Sequence, residues 1–237
     1  LSAAIPFGTF FAAARADTTQ CRLTAGDLMK EVVFDPADLR PASCDTWQNY
    51  VVGTFAGLIA EHPVDRGFDG MFLGDIPLGS GLSSSAALEM SAGLALASLY
   101  GIKVDTVGLA RIGQKAEHLY AGCKCGLLDQ LSSLAGERDK LVKTDFRSVS
   151  HETVALGEDA CFLMCNTHAK HALTDGAYNR LREACETATA HFARVLRHPV
   201  RALRDVSLAE WAIYRKGLPE DVADRAAHPI GENERVL

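Results

Sequence analysis

The sequence is poor in the features that would set it apart from ordinary globular chains. No stretch is both long enough and apolar enough to span a bilayer, and no leader pattern of basic then apolar residues opens the chain. Basic excess is missing too: 24 Lys and Arg stand against 30 Asp and Glu, a net charge of -6, which argues against a nucleic-acid partner. The one basic run, Arg194 to Arg204, reads as a solvated helix face. A disulfide framework is equally absent. The seven cysteines are odd in number and scattered, and Cys161 and Cys165 stand among apolar neighbours, which points to reduced thiols in a cytoplasmic chain. "CKC" (Cys123, Cys125) and "HAKH" (His168, His171) each lack a second half at ligand spacing, so neither reads as a metal site. There are no repeats and no low-complexity linker.

What is present is a chain of 237 residues, 48% hydrophobic and 23% charged, enough for one large domain or two modest ones. "AAIPFGTFFAAARAD" (residues 3–17) reads as extended, buried chain, and residues 71–76 as a short strand ended by Pro77. Residues 84–100 are apolar nearly all round, which predicts a helix buried on every side, with Gly101 at its C-terminal stop. Asp105 can cap a second helix carrying Leu109, Ile112, Ala116 and Leu119 at helical spacing. "ACFLMCNT" (160–167) has the length of a buried strand. A long helix should follow, with Leu181, Cys185, Ala188, Phe192 and Val195 on one face. "SLAE" (207–210) has capping-box spacing, and Gly217 with Pro219 should close that helix. Strands and helices are mixed without strict alternation, which favours α+β, and the composition shifts near residues 154–159.

"IPLGSGLSSSAALEM" changes character abruptly, from tiny residues to an unbroken helical run. Gly79 and Gly81 allow close approach of backbone to a bulky group, and Ser83, Ser84 and Ser85 add hydroxyls. A helix N-terminus carries roughly half a positive charge, so residues 79–85 suit an anion such as phosphate. A serine cap after a flexible turn explains the same residues, and on the loop alone the two readings stand level. The loop is neither a Walker A motif, having no Lys before its Ser, nor a dinucleotide fingerprint, having no third glycine.

"AEHLYAGCKCGLLDQLSS" (116–133) places Glu117 at a helix end and Asp129 twelve residues later. Phosphoryl transfer needs a phosphate cradle, a carboxylate for Mg²⁺ and a carboxylate near the acceptor hydroxyl. Ser85 with Glu117 could hold the metal and Asp129 could serve the acceptor. Such a Glu/Asp pair is usually solvated surface, but leucines flank Asp129 and should desolvate it, pushing its pKa up.

"PLGSGLSSSAALE" resembles the second signature of the GHMP kinases, and "AEHLYAGCKCGLLDQ" the galactokinase subfamily's version of the next segment. "AAIPFGTFFAAAR", "WQNYVVG", "NTHAKHALTDGAYNRLREACE" and "HPIGENERV" are similar to stretches of that subfamily in the same order, so the likeness spans the chain. It implies the α+β GHMP kinase fold: an N-terminal domain like domain 2 of ribosomal protein S5 over residues 1–156, then part of a ferredoxin-like C-terminal domain over 157–237. It implies ATP and Mg²⁺ as cofactors, with phosphates against Gly79, Ser80, Gly81, Leu82, Ser83, Ser84 and Ser85, and with Ser85 and Glu117 on the metal. Asp129 would be the catalytic carboxylate beside the C1 hydroxyl of galactose, Tyr178 a sugar contact, and Trp47 core. The expected protein is a cytoplasmic monomer acting on galactose and ATP, with no nucleic-acid or membrane partner. A kinase of N-acetylgalactosamine or arabinose, or a non-catalytic galactose and ATP sensor, is the alternative. The subfamily's first signature should lie upstream of Leu1 and its third downstream of Leu237, so residues 1–237 read as an internal piece, inactive alone.

Overall fold

A period of two in the burial of side chains builds the sheet beneath the site. In the computed structural model, which describes residues 1–43, 47–77, 79–165 and 176–236, β1 (Ser2–Ala3) is followed by β2 (Thr9–Arg15), β3 (Cys21–Ala25) and β4 (Lys30–Phe34). After the helix α1 (Trp47–Ile59) comes β5 (Phe68–Gly74). The sheet runs β2-β5-β3-β4, with β5 antiparallel to β2 and parallel to β3, and β3 and β4 antiparallel. Cys21, Leu23, Ala25, Phe68 and Phe72 point to the core and their neighbours outward. Phe55 of α1 meets Phe68 edge-on at 5.1 Å between ring centroids. Each such buried ring stabilises the fold by about 1.5–3 kcal/mol.

Three helices complete this layer: α2 (Ser84–Tyr100), α3 (Thr106–Ala116) and α4 (Leu128–Ala135). Gly101 ends α2 in the left-handed region at φ 69°, its N–H bonded back to Ala97 and Ser98, and the Asp105 carboxylate caps α3 through the Gly108 N–H at 2.6 Å. A second sheet, β1-β6-β7, is formed with β6 (Lys140–Asp145) and β7 (Ser150–Ala155). The expected end of the first domain at residue 156 falls just after β7, whereas the two compact units divide at Leu1–Thr174 and Asp175–Leu237.

The second unit's described residues form α5 (Ala177–Val195), α6 (Leu208–Tyr214) and α7 (Glu220–Val236), around a core of Ala188, Phe192, Leu203, Val206, Ala226 and Ile230. The Ser207–Glu210 capping box forms as its spacing predicts.

Five local expectations need correction. β2 is an edge strand and only half covered, Phe10 being 76% exposed. α2 is not buried all round, since Leu94 is 56% exposed on its outer side. Leu119 does not continue the stripe of α3, because the helix widens into a π-turn at Glu117–Ala121 and turns Leu119 outward. Residues 160–165 form no strand and are exposed, a hydrophobic run without a sheet partner among the described residues. On α5, Leu181 and Val195 lie outside the buried stripe, which consists of Ala184, Ala188, His191 and Phe192 with Cys185 beside them. Residues 166–167 of that run, with His168 and His171, lie outside the described residues.

Candidate active site

Residues 79–85 leave the sheet side as a tight loop whose backbone alternates. Gly79 at φ 70°, Gly81 at φ 75° and Ser83 at φ 58° are left-handed, while Ser80 and Leu82 between them are not. Such alternation turns successive N–H groups toward one side and makes an anion-binding concavity. For glycine this backbone carries no penalty; for Ser83, which has a Cβ, it costs about 1–2 kcal/mol. Ser83 stands at the N-cap of α2, yet its side chain makes no capping hydrogen bond. The simple serine-cap reading therefore loses its support, and the first N–H groups of α2 remain available to a ligand.

Beside the loop lies a cavity of about 350 Å³ lined by Trp47, Tyr50, Phe72, Leu88, Ser84 and Ser85, among others. Trp47 and Tyr50 sit three residues apart on α1 and so share a face. The Trp47 ring packs on Phe72 at 5.7 Å, and its buried indole N–H has no hydrogen-bond partner among the described residues. Trp47 packs against the main core, as the sequence reading has it, and it also lines this cavity.

Glu117 opens the π-turn after α3 and is 4% exposed. Burial pushes its carboxyl above the usual range, a hydrogen bond from Ser85 pulls it down, and the Asp129 charge pushes it up again. Its Oε2 is buried without a partner among the described residues. A buried carboxylate oxygen left open beside a serine hydroxyl fits a divalent cation, which would neutralise it.

Asp129, in the first turn of α4, is exposed. The desolvation expected from its leucine neighbours does not occur, because Leu127, Gln130 and Leu131 take the inward face of the helix and Leu128 and Asp129 the outward one. Behind it lies Glu89 of α2, fully buried, its Oε2 accepting from Gln130 Nε2 at 3.0 Å. Burial first, then the Glu117 charge, raise the Glu89 carboxyl to about 9. Cys123 and Cys125 lie in the same neighbourhood, with thiols raised to about 11 and about 12 mainly by burial. The six described cysteines are free, and Cys44 lies outside the described residues. The structure thus gathers the serine loop, Glu117 and Asp129 in the first unit; Tyr178 belongs to the second, near the start of α5 and 44% exposed.

A glycine-and-serine loop thus opens α2, with the buried Glu117 bonded to Ser85 beside it. Residues 49–137 match the GHMP kinases N terminal domain. Over nearly its whole length the chain is similar to galactokinases. It is 37% identical over 239 residues to the galactokinase of Pasteurella multocida, and 37% over 240 residues to that of Actinobacillus succinogenes, covering 99% of this chain and 60% of each relative. The solved galactokinase of Lactococcus lactis, complexed with galactose, superposes with a TM-score of 0.88 at 29% identity, over 98% of this chain and 61% of that one. The chain spans about 60% of the length of the curated relatives it matches. Among the described residues no helix is long and apolar enough to cross a membrane.

Proposed function

We propose that the protein transfers the γ-phosphoryl group of ATP to the anomeric C1 hydroxyl of galactose, giving galactose 1-phosphate and ADP. The observation that carries the reading is the alternating left-handed backbone of residues 79–85 at the uncapped start of α2, with Glu117 bonded to Ser85 beside it. Phosphates fit that concavity, and the neighbouring cavity, lined by Trp47, Tyr50 and Phe72, suits a purine. Ser85 and Glu117 would hold Mg²⁺. When bound, the ion neutralises charge that develops on the phosphate oxygens.

Asp129 accepts the C1 hydroxyl proton as the sugar oxygen bonds to the γ-phosphorus and the bond to the β-phosphate oxygen breaks. An exposed position suits that role, since the carboxylate must meet a sugar arriving from solvent. The Tyr178 contact with the sugar rests on sequence resemblance, as does a first domain ending at residue 156. The relatives' names favour galactose.

ADP release by the full-length protein with Mg²⁺ and a panel of galactose, N-acetylgalactosamine and arabinose tests the reading. Release strictly dependent on galactose supports it. Preference for another sugar in the panel moves the substrate, and binding of galactose and ATP without ADP release makes the protein a sensor.

A further inference from the structure

Glu89 is a carboxyl group that the transfer step does not use, yet it is buried at the centre of the site. It belongs to α2, the helix that starts at the phosphate loop, and its partner Gln130 belongs to α4, next in sequence to Asp129. Both side chains are fully buried. α3 passes over them at Gly113, where an added Cβ would run into Met90 Cε and stand 3.0 Å from Glu89 Oε2 and 3.2 Å from Gln130 Cγ. The pair is thus tightly enclosed, and Glu89 Oε1 and Gln130 Oε1 have no hydrogen-bond partner among the described residues.

A buried polar pair carries a desolvation cost that an apolar pair of the same volume would avoid, so its stabilising value is small. What it offers is direction. Apolar packing tolerates small slides and rotations of a helix, whereas a hydrogen bond to residue 130 fixes the rotation of α4. Residue 129 leaves the helix about 100° round from residue 130, so fixing one aims the other. We propose that the Glu89–Gln130 hydrogen bond is a positioning link that holds Asp129 in register with the phosphate loop. This rests on the phosphotransfer reading above. With its carboxyl raised to about 9, Glu89 is a neutral acid at neutral pH, and an amide in its place can keep the same bond to Gln130.

The test compares Glu89→Leu, Glu89→Gln and Gln130→Met in the full-length protein, by turnover, by KM for each substrate and by amide hydrogen exchange across α4. Glu89→Leu and Gln130→Met should lower kcat roughly 10- to 100-fold, the scale of a misplacement of about 1 Å, with the KM for ATP within about threefold of the native value. Glu89→Gln should restore kcat to within about threefold, and exchange in α4 should quicken in the Leu variant but not in the Gln variant. Should Glu89→Leu fail to fold, Gln130→Met breaks the bond from the other side and carries the same readouts. Native kcat in folded Glu89→Leu or Gln130→Met overturns the link, as does a Gln variant as impaired as the Leu variant. A native protein that phosphorylates no sugar overturns the reaction instead. The link then stands or falls on exchange alone, and equal α4 protection in the native protein and Glu89→Leu overturns it.

Discussion

At the scale of single residues, two carboxylates of the site differ in surroundings, and each difference is measurable. Glu89 has a folded-state pKa raised from 4.5 to about 9. Between those values the folded protein keeps a proton that the unfolded chain has released, so stability falls as pH rises, by up to about 1.4 kcal/mol per unit. Below about pH 4.5 both states are protonated and the penalty vanishes. Glu117 is raised as well, mainly by burial, and acts in the same direction. Urea unfolding at about pH 6 and about pH 8.5 should therefore show the native protein losing stability while Glu89→Gln loses less; parallel losses would leave Glu89 ionised in the fold. Asp129 is exposed. Asp129→Asn in the full-length protein should lower kcat by roughly 10²-fold or more while ATP affinity holds, because the amide cannot accept the hydroxyl proton. Stopped assays and nucleotide titration on one preparation decide it. The position of Asp129 could be read from sequence; its exposure could not, because which face of α4 turns inward depends on Val107 and Ala110 of α3, which cluster with Leu127 and Leu131.

Among the elements, the loop and the π-turn carry the groups proposed for the phosphates and Mg²⁺. Gly81 is left-handed at φ 75° and a Cβ there would meet nothing within 4 Å. Gly81→Val should thus destabilise the fold by only about 1–2 kcal/mol, from backbone strain, while abolishing ATP binding by filling and re-aiming the concavity. Thermal unfolding with and without ATP reads both effects, and an unchanged nucleotide shift would remove the loop from the site. Glu117→Gln keeps the shape of the π-turn and deletes the charge, so half-maximal turnover should require more Mg²⁺; native magnesium dependence would make Glu117 a structural carboxyl. Caps and loops were legible because their chemistry is local: Gly101, Asp105 and Ser207 act within a turn of their own position. The apolar run at 160–165 misled, since a strand exists only where a neighbouring strand completes its hydrogen bonds, and periodicity cannot supply the neighbour. The π-turn had no signature either. Glu117 reads as the end of an ordinary helix, and only packing shows the widening that turns it inward.

Over the whole molecule, each of the two units has a core of its own, and the residues assigned to the nucleotide lie in one of them. Trp47, Tyr50, the loop 79–85 and Glu117 all fall within Leu1–Thr174, and so does Asp129, proposed for the sugar hydroxyl. The second unit rests on Phe192, fully buried among Ala188, Leu203, Val206, Ala226 and Ile230, with His191 packed edge-on against its ring at 5.4 Å. Truncating such a ring costs about 3–5 kcal/mol in transfer and cavity terms. Units under about 70–80 residues rarely have more than about 3–5 kcal/mol from a single core, so Phe192→Ala should consume most of what holds α5, α6 and α7 together. Helical circular dichroism of the variant should therefore show a loss well below the native transition. If the nucleotide is bound by the first unit's residues alone, ATP–Mg²⁺ affinity measured by calorimetry in the cold should stay near the native value through that loss. An affinity that falls in step with the helical signal would mean that residues of 175–237 bear on the phosphates, and the assignment to the loop, Glu117 and the Trp47 cavity would be incomplete.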